Sequence, residues 1–400
     1  MSSVSISWRA LFPYLFILFL IYLAGIFVAP FFTFLYYFIL GIPLLSLVQL
    51  AVALGRLRYY QHFDSEHPTK GESIGYRLAL SNESLLATGP VRVEFMTVHP
   101  ELQENLRDLT LSFPGNAHIE RRYTIRCPYR GIYTVGLNAL VVSDLLGWLR
   151  VRRMAYHRTF YVFPRVIELL PPFVGSAIGG LSAVITVGAE SDTTLFEGLT
   201  GYRQGLPIKH MAWKKFQQTG EPVLRLFGRS SQPGITIYLD LRRSAVVSPE
   251  LLATEDCSIE IAVALVKYFL DCRIPVTVKA MGHELYLFHG SDPERFAEFH
   301  RHTINLLFGL VQSPAELFLS DRKSSGGGGA ALFVTHLPDP ELLDLVVGDG
   351  SEMIAAIVNV SSFSAAERGQ YEGYFDSIRE RGGRLLLVRN PDTIREDLEA

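Results

Sequence analysis

The run "DLRRS" places Asp240 and Ser244 four residues apart at the end of an apolar stretch. An acid and hydroxyls at alternate loop positions supply oxygen ligands for a hard divalent cation. Between them stands Arg242, whose guanidinium cannot ligate Mg²⁺ and repels it. Mg²⁺ at Asp240 and Ser244 is the one cofactor this loop could take, and Arg242 argues against it. The competing reading has Asp240 bonded to backbone or to Arg242; on that reading no cofactor is expected.

Other chemistries leave less trace. The run "SSGGGG" at 324–329 lacks the Lys of a phosphate-binding loop and precedes a strand, so it reads as a flexible loop. Eleven histidines form no HxxxH or HExxH pair, and no G-x-S-x-G elbow is present. No catalytic residue can be named, and the chain reads as a non-enzyme. The densest cationic stretch is 202–215, "YRQGLPIKHMAWKK", with Arg203, Lys209, Lys214 and Lys215 and no acid. Pro207 and Gly220 suit the two ends of a short helix over 207–220. Phosphate contacts with Trp213 stacking would suit a nucleic acid. The patch is short, however, and the chain has 37 Lys+Arg against 40 Asp+Glu, which speaks against a polyanionic partner.

The elements that must position these residues fall into three groups. From 68 to 150 the pattern alternates: Ile74, Tyr76, Leu78 and Leu80 against Ser73, Gly75, Arg77 and Ala79. Strands of that kind bounded by "SNES", "FPGN" and "YRG" predict an antiparallel β-sandwich over 59–163. Residues 164–233 read as a Pro/Gly-rich connector followed by the cationic stretch. From 234 to 400 apolar strands ("GITIYLDL", "PVTVKAM", "ELYLF", "AALFVTHL", "MIAAIVNV", "RLLLVRN") alternate with helices near 251–270, 293–308, 340–347 and 365–381. This predicts an α/β domain with a mostly parallel, Rossmann-type sheet, and Asp240 at a strand end where such sheets bind ligands.

Residues 1–58 are of another kind. Between Arg9 and Arg56 there is no Asp, Glu, Lys, Arg or His. Each membrane crossing needs ~20 apolar residues, so the run predicts a transmembrane helical hairpin, with spans at 11–29 and 31–54 broken at Pro30. Arg9, Arg56 and Arg58 flank it and the turn is uncharged, which places both termini and the main body on the cytoplasmic side of the inner membrane. Three cysteines without a CxxC suit a reducing compartment.

The stretch "LFEGLTGYRQGLPIKHMAWKKFQQTGEPVLRLF" resembles the signature of the bacterial domain-of-unknown-function 58 family. Phe196, Leu199, Tyr202, Gly205, Trp213, Lys214, Gly220 and Arg225 stand at its expected positions. The upstream "YRGIYTVGLNALVVSDLLGWLRVRR" and "YVFPRV" are similar to a second family segment. Leu206 replaces the family's Asp and Lys209 its Arg. The resemblance implies a multi-pass anchor, a sandwich and a von Willebrand factor A-like domain at 234–400. The cation loop of such domains is D-x-S-x-S, with a Thr-Asp at a later strand end; here Arg242 and His336 depart from it. The resemblance further implies a membrane-attached adaptor acting on proteins with a MoxR-type AAA ATPase. Tyr202, Arg203, Gly205, Lys209, Trp213, Lys214 and Arg225 are then the candidate partner-binding residues. A metal-dependent adhesion module and a membrane-tethered nucleic-acid binder are the alternatives.

Overall fold

The computed structural model describes residues 3–97, 106–170, 196–201, 223–227, 234–243, 248–309, 311–325, 330–347 and 354–399. The chain divides into two compact units, Met1–Phe163 and Pro164–Ala400.

The first unit opens with a short strand β1 (Ser3–Ile6), which composition does not announce, then helices α1 (Trp8–Phe27) and α2 (Pro30–Arg56). Pro30 sits in the first turn of α2, where its missing N–H costs nothing. Each helix begins slightly before the expected span and α2 runs two residues beyond it. The helices touch side by side: the Tyr14 hydroxyl donates to the Ile39 carbonyl at 2.5 Å. By length and composition α2 can cross a membrane, and Leu11–Phe27 is a shorter apolar run.

Among the described residues, eight more strands follow the helices: β2 (Leu57–Phe63), β3 (Ser73–Asn82), β4 (Val91–Thr97), β5 (Leu109–Leu111), β6 (His118–Arg126), β7 (Gly131–Ser143), β8 (Leu149–Met154) and β9 (Arg158–Val162). With β1, they form two antiparallel sheets, one in the order β2-β3-β6 and one β1-β8-β7-β4-β5 with β9 also on β7. The alternation read from the sequence is the inward face: Ile74, Tyr76, Leu78 and Leu80 are buried with Val91, Val93, Leu137 and Leu140 of the opposite sheet. Each such side chain contributes roughly 1.5–3 kcal/mol by leaving water.

The same core takes in Leu50 and Ala53 of α2, so one face of the helix's last turns packs on the sandwich. Polar side chains make this junction specific. The Ser46 hydroxyl donates to Asp144 Oδ2 at 2.9 Å and accepts from the Leu145 N–H at 3.1 Å, while Asp144 Oδ1 accepts from the Leu149 N–H. Within the sandwich, buried Gln61 accepts from the Tyr76 hydroxyl and from the Leu137 N–H, both at 2.8 Å. Gly136, at φ 134°, permits that approach; a Cβ there would lie 2.6 Å from Gln61 Oε1.

The second unit begins with an antiparallel pair, β10 (Phe196–Gly201) and β11 (Val223–Phe227). Its main sheet comprises β12 (Ile235–Leu239), β13 (Val276–Met281), β14 (Leu285–Gly290), β15 (Ala330–Thr335), β16 (Ile354–Asn359) and β17 (Arg384–Val388) in the order β14-β13-β12-β15-β16-β17. Counted from β12 this is 3-2-1-4-5-6, the order of an open doubly wound sheet. All pairings are parallel except β13 with β14.

Helices between the strands are α3 (Pro249–Asp271), α4 (Phe296–His302), α5 (Pro314–Ser325), α6 (Pro340–Val347), α7 (Ala365–Glu380) and α8 (Ile394–Glu399). α3 is capped by the Ser248 hydroxyl, which accepts from the Leu251 N–H, with Pro249 in its first turn. Two expectations need correction. The helix over 293–308 is broken: only Phe296–His302 is α-helical, flanked by 3₁₀ turns, because the Thr303 hydroxyl bonds back to the His300 carbonyl at 2.6 Å and Leu306 turns extended. Ser324 and Ser325, read as loop, close the unanticipated helix α5, and 326–329 lie outside the described residues.

Ser46→Val removes the donor to a buried carboxylate and the acceptor for Leu145. In the full chain in detergent it should lower unfolding stability by ~1–3 kcal/mol. An unchanged denaturation midpoint would show that α2 is held by apolar packing without this junction.

Candidate functional site

The strand order reverses between β12 and β15, the place where open α/β sheets bind ligands at their carboxyl ends. Asp240 follows β12 there and is 1% exposed. Its N–H continues the ladder to the Val334 carbonyl at 2.9 Å. Its carboxylate is saturated. Oδ1 accepts from the Arg242 N–H at 3.0 Å and from Arg242 Nε at 2.9 Å; Oδ2 accepts from Arg242 Nη2 at 2.7 Å and from the Thr335 hydroxyl at 2.6 Å.

The guanidinium reaches further. Arg242 Nη1 donates to Asp339 Oδ2 at 2.6 Å and Nη2 to the Leu337 carbonyl at 2.6 Å, and Ser313 donates to the same Asp339 oxygen. Burial works against the charge on Arg242, yet Asp240 and Asp339 hold its pKa above the ordinary guanidinium range. The arginine thus bridges the two carboxylates that a cation would need. Its neighbour Arg243 forms a fork with Glu255 of α3, Nε and Nη2 at 2.6 and 2.5 Å.

His336, which follows β15, is 2% exposed and packs its ring against Phe308 at 5.5 Å. Neither of its nitrogens has a hydrogen-bond partner among the described residues. Burial pushes its pKa below the ordinary imidazole range, against the opposing pull of Asp240 and Glu255.

These residues do not fit a divalent cation: the described oxygen donors are already taken by a guanidinium. Among the described residues no group of three or more His, Cys, Asp or Glu is placed to hold a metal. Ser244 lies outside the described residues, as do Tyr202, Arg203, Gly205, Lys209, Trp213 and Lys214 and the helix expected over 207–220. Arg225 is on β11, in register with Leu199 of β10. The two ends of the signature, 196–201 and 223–227, are therefore held together as paired strands.

Reading the sequence missed the roles of Asp339, Ser313 and Glu255, which lie 97, 26 and 12 positions from the partners they meet, Arg242, Asp339 and Arg243. One local signal existed: an acid and an arginine two apart at a strand end can close on each other.

No family model matches the chain, and no curated protein matches it. Solved structures with partial likeness include the alkylpurine DNA glycosylase AlkC of Pseudomonas fluorescens bound to DNA containing an abasic site analog (14% identity, 32% of this chain and 38% of that chain, TM-score 0.19). The FixG-related protein from Vibrio parahaemolyticus is 8% identical over 27% of this chain and 96% of that one, with a TM-score of 0.19. A human seminal plasma complex of Zinc 2-glycoprotein and Prolactin inducible protein is 9% identical over 26% and 91%, again at 0.19. At such scores these likenesses carry no argument.

Arg242→Ala strands Asp240 as a buried charge and should cost ~3–5 kcal/mol. R242S instead places a hydroxyl between Asp240 and Ser244; its melting temperature should rise with added Mg²⁺ while the wild type's stays put, and equal responses would refute the view that Arg242 stands in the cation's place. For His336 the folded pKa is lowered, so below the unfolded value of ~6.5 the unfolded chain binds more protons. Its contribution is complete above that pH and is lost as pH falls. The H336L variant should show a shallower loss of stability than wild type as pH falls below about 6.5. His300, also lowered by burial, leaves a residual slope in both.

Proposed function

We propose that this chain is a membrane-anchored adaptor whose body binds protein partners, one of them a MoxR-type AAA ATPase, and that it performs no chemistry itself. In this reading both α1 and α2 cross the membrane, the body and both termini are cytoplasmic, and the second unit is a von Willebrand factor A-like domain. The observation that carries it is the junction at Asp240. A doubly wound sheet directs its ligand end at a position where Arg242 supplies the positive charge internally, which suits recognition of a protein surface without a cation. Further support comes from the order of parts, apolar helix pair, antiparallel sandwich, signature strands and doubly wound sheet, which is the order that the resemblance to the domain-of-unknown-function 58 family implies.

The full chain in detergent, crosslinked in extracts of its native host under ATP and under ADP, should capture a MoxR-type ATPase. The yield should drop when Trp213 and Lys214 are changed to Ala. Recovery of no such ATPase under either nucleotide overturns the adaptor reading.

A further inference from the structure

The outer face of the larger sandwich sheet carries arginines in a cross-strand pattern. Register places Ser3 of β1 opposite Arg152 of β8, Arg152 opposite Val141 of β7, and Val141 opposite Arg92 of β4. One step along, Ser5 lies opposite Arg150, and Arg150 opposite Ser143. Because alternate residues share a face, both rows line the same surface. They enclose a trough of about 500 Å³ whose walls include Ser3, Ser5, Arg92, Arg150, Arg152 and Glu94.

The charges in this trough are not all spent. Arg152 donates to Glu94 through Nε and Nη2 at 3.0 and 2.8 Å, and Arg92 pairs with Asp108 at 2.9 Å. The Arg150 side chain has no hydrogen bond or ion pair among the described residues. Three guanidiniums therefore meet one carboxylate of the trough, and one fork remains open beside the hydroxyls of Ser5 and Ser143. Guanidinium forks match phosphate oxygens bidentately, and hydroxyls add neutral donors.

The trough also has a definite place in the unit. β1 leads within two residues into α1, and the Ser7 N–H donates to the Trp148 carbonyl at 2.7 Å. Trp148, one residue before β8, stacks edge-on with Tyr14 of α1 at 4.6 Å. Ser143 adjoins Asp144, the partner of Ser46 on α2. Ser5 is thus about 10 Å of extended chain from the first residue of α1. If the helices span, that sets the trough beside the headgroup layer, about 5–8 Å deep on each side, where Trp and Tyr gather. Val4 and Ile6, on the other face of β1, are exposed apolar side chains at the same level.

We propose that this trough binds the phosphate of an anionic phospholipid headgroup, with Arg150 as the principal ligand. The inference rests on the membrane-spanning reading above. An isolated phosphate shares the same chemistry, so the two sources must be separated by experiment.

The full chain in dodecyl maltoside micelles would be titrated with short-chain phosphatidylglycerol, phosphatidylcholine and inorganic phosphate, with bound species counted by native mass spectrometry. Phosphatidylglycerol should be retained at least about fivefold better than phosphatidylcholine, the effect of one arginine at an anionic surface. R150E should abolish that preference, R150K should keep most of it, and S5D should weaken it by placing a charge in the same trough. The unfolding midpoint of R150E should match wild type, since Arg150 makes no contact that folding needs. No preference in the wild type, or a preference unchanged in R150E and S5D, overturns the proposal. So does Arg150-dependent binding of inorganic phosphate without any lipid preference. Alkaline carbonate extraction of membranes is scored separately: release of the chain refutes the spanning reading, whereas retention without lipid preference refutes this inference alone.

Discussion

A carboxylate taken out of water must take a counter-charge with it, and the second unit is arranged around that constraint. Asp240, Glu255 and Glu260 are buried, and each meets an arginine: Arg242, Arg243 and Arg165. Desolvating such ions costs several kcal/mol apiece, so the pairs persist only with near-ideal geometry. Arg165 satisfies this with Nε and Nη2 on the two oxygens of Glu260, and the same guanidinium reaches the Pro391 carbonyl. Through these pairs the chain entering the unit, the loop after β12, helix α3 and the turn after β17 are set relative to one another.

At the reversal of strand order the same constraint removes one chemistry and leaves another. The carboxyl ends of parallel strands gather acids and carbonyls that a cation would normally balance. Here a guanidinium balances Asp240, Asp339 and the Leu337 carbonyl together. It is covalently part of the chain and cannot dissociate. Burial of His336 beside it disfavours a second positive charge in the same space.

In the first unit one helix serves two surroundings. Phe31, Phe34, Phe38 and Leu44 of α2 are exposed on the unit's surface, while Ser46, Gln49, Leu50 and Ala53 are buried in contact with the sandwich. Ser46 and Gln49 are the polar residues between Phe38 and Gly55, and both hydrogen-bond to the sandwich, Gln49 to the Ala87 carbonyl. Rotating α2 would take the Ser46 hydroxyl away from the buried Asp144 carboxylate, so the helix is held in one orientation on the sandwich.

Periodicity determined much by itself. Alternation along 74–80 marked the inward face of a strand, and six apolar runs after residue 234 marked the six strands of the main sheet. Burial imposes those patterns locally, so they are legible without the fold. The broken helix after Phe296 escaped because one threonine hydroxyl competing for a carbonyl leaves no periodic signal. The strand Ser3–Ile6 escaped because four residues carry little pattern and pair with a strand some 150 positions away. The sequence also placed Asp240 at a strand end with an arginine where a hydroxyl would help a metal. Tertiary structure alone decided that the arginine closes onto Asp240 and Asp339 at once, because charge pairing acts through space and its partners are brought together only when β12 and β15 lie side by side.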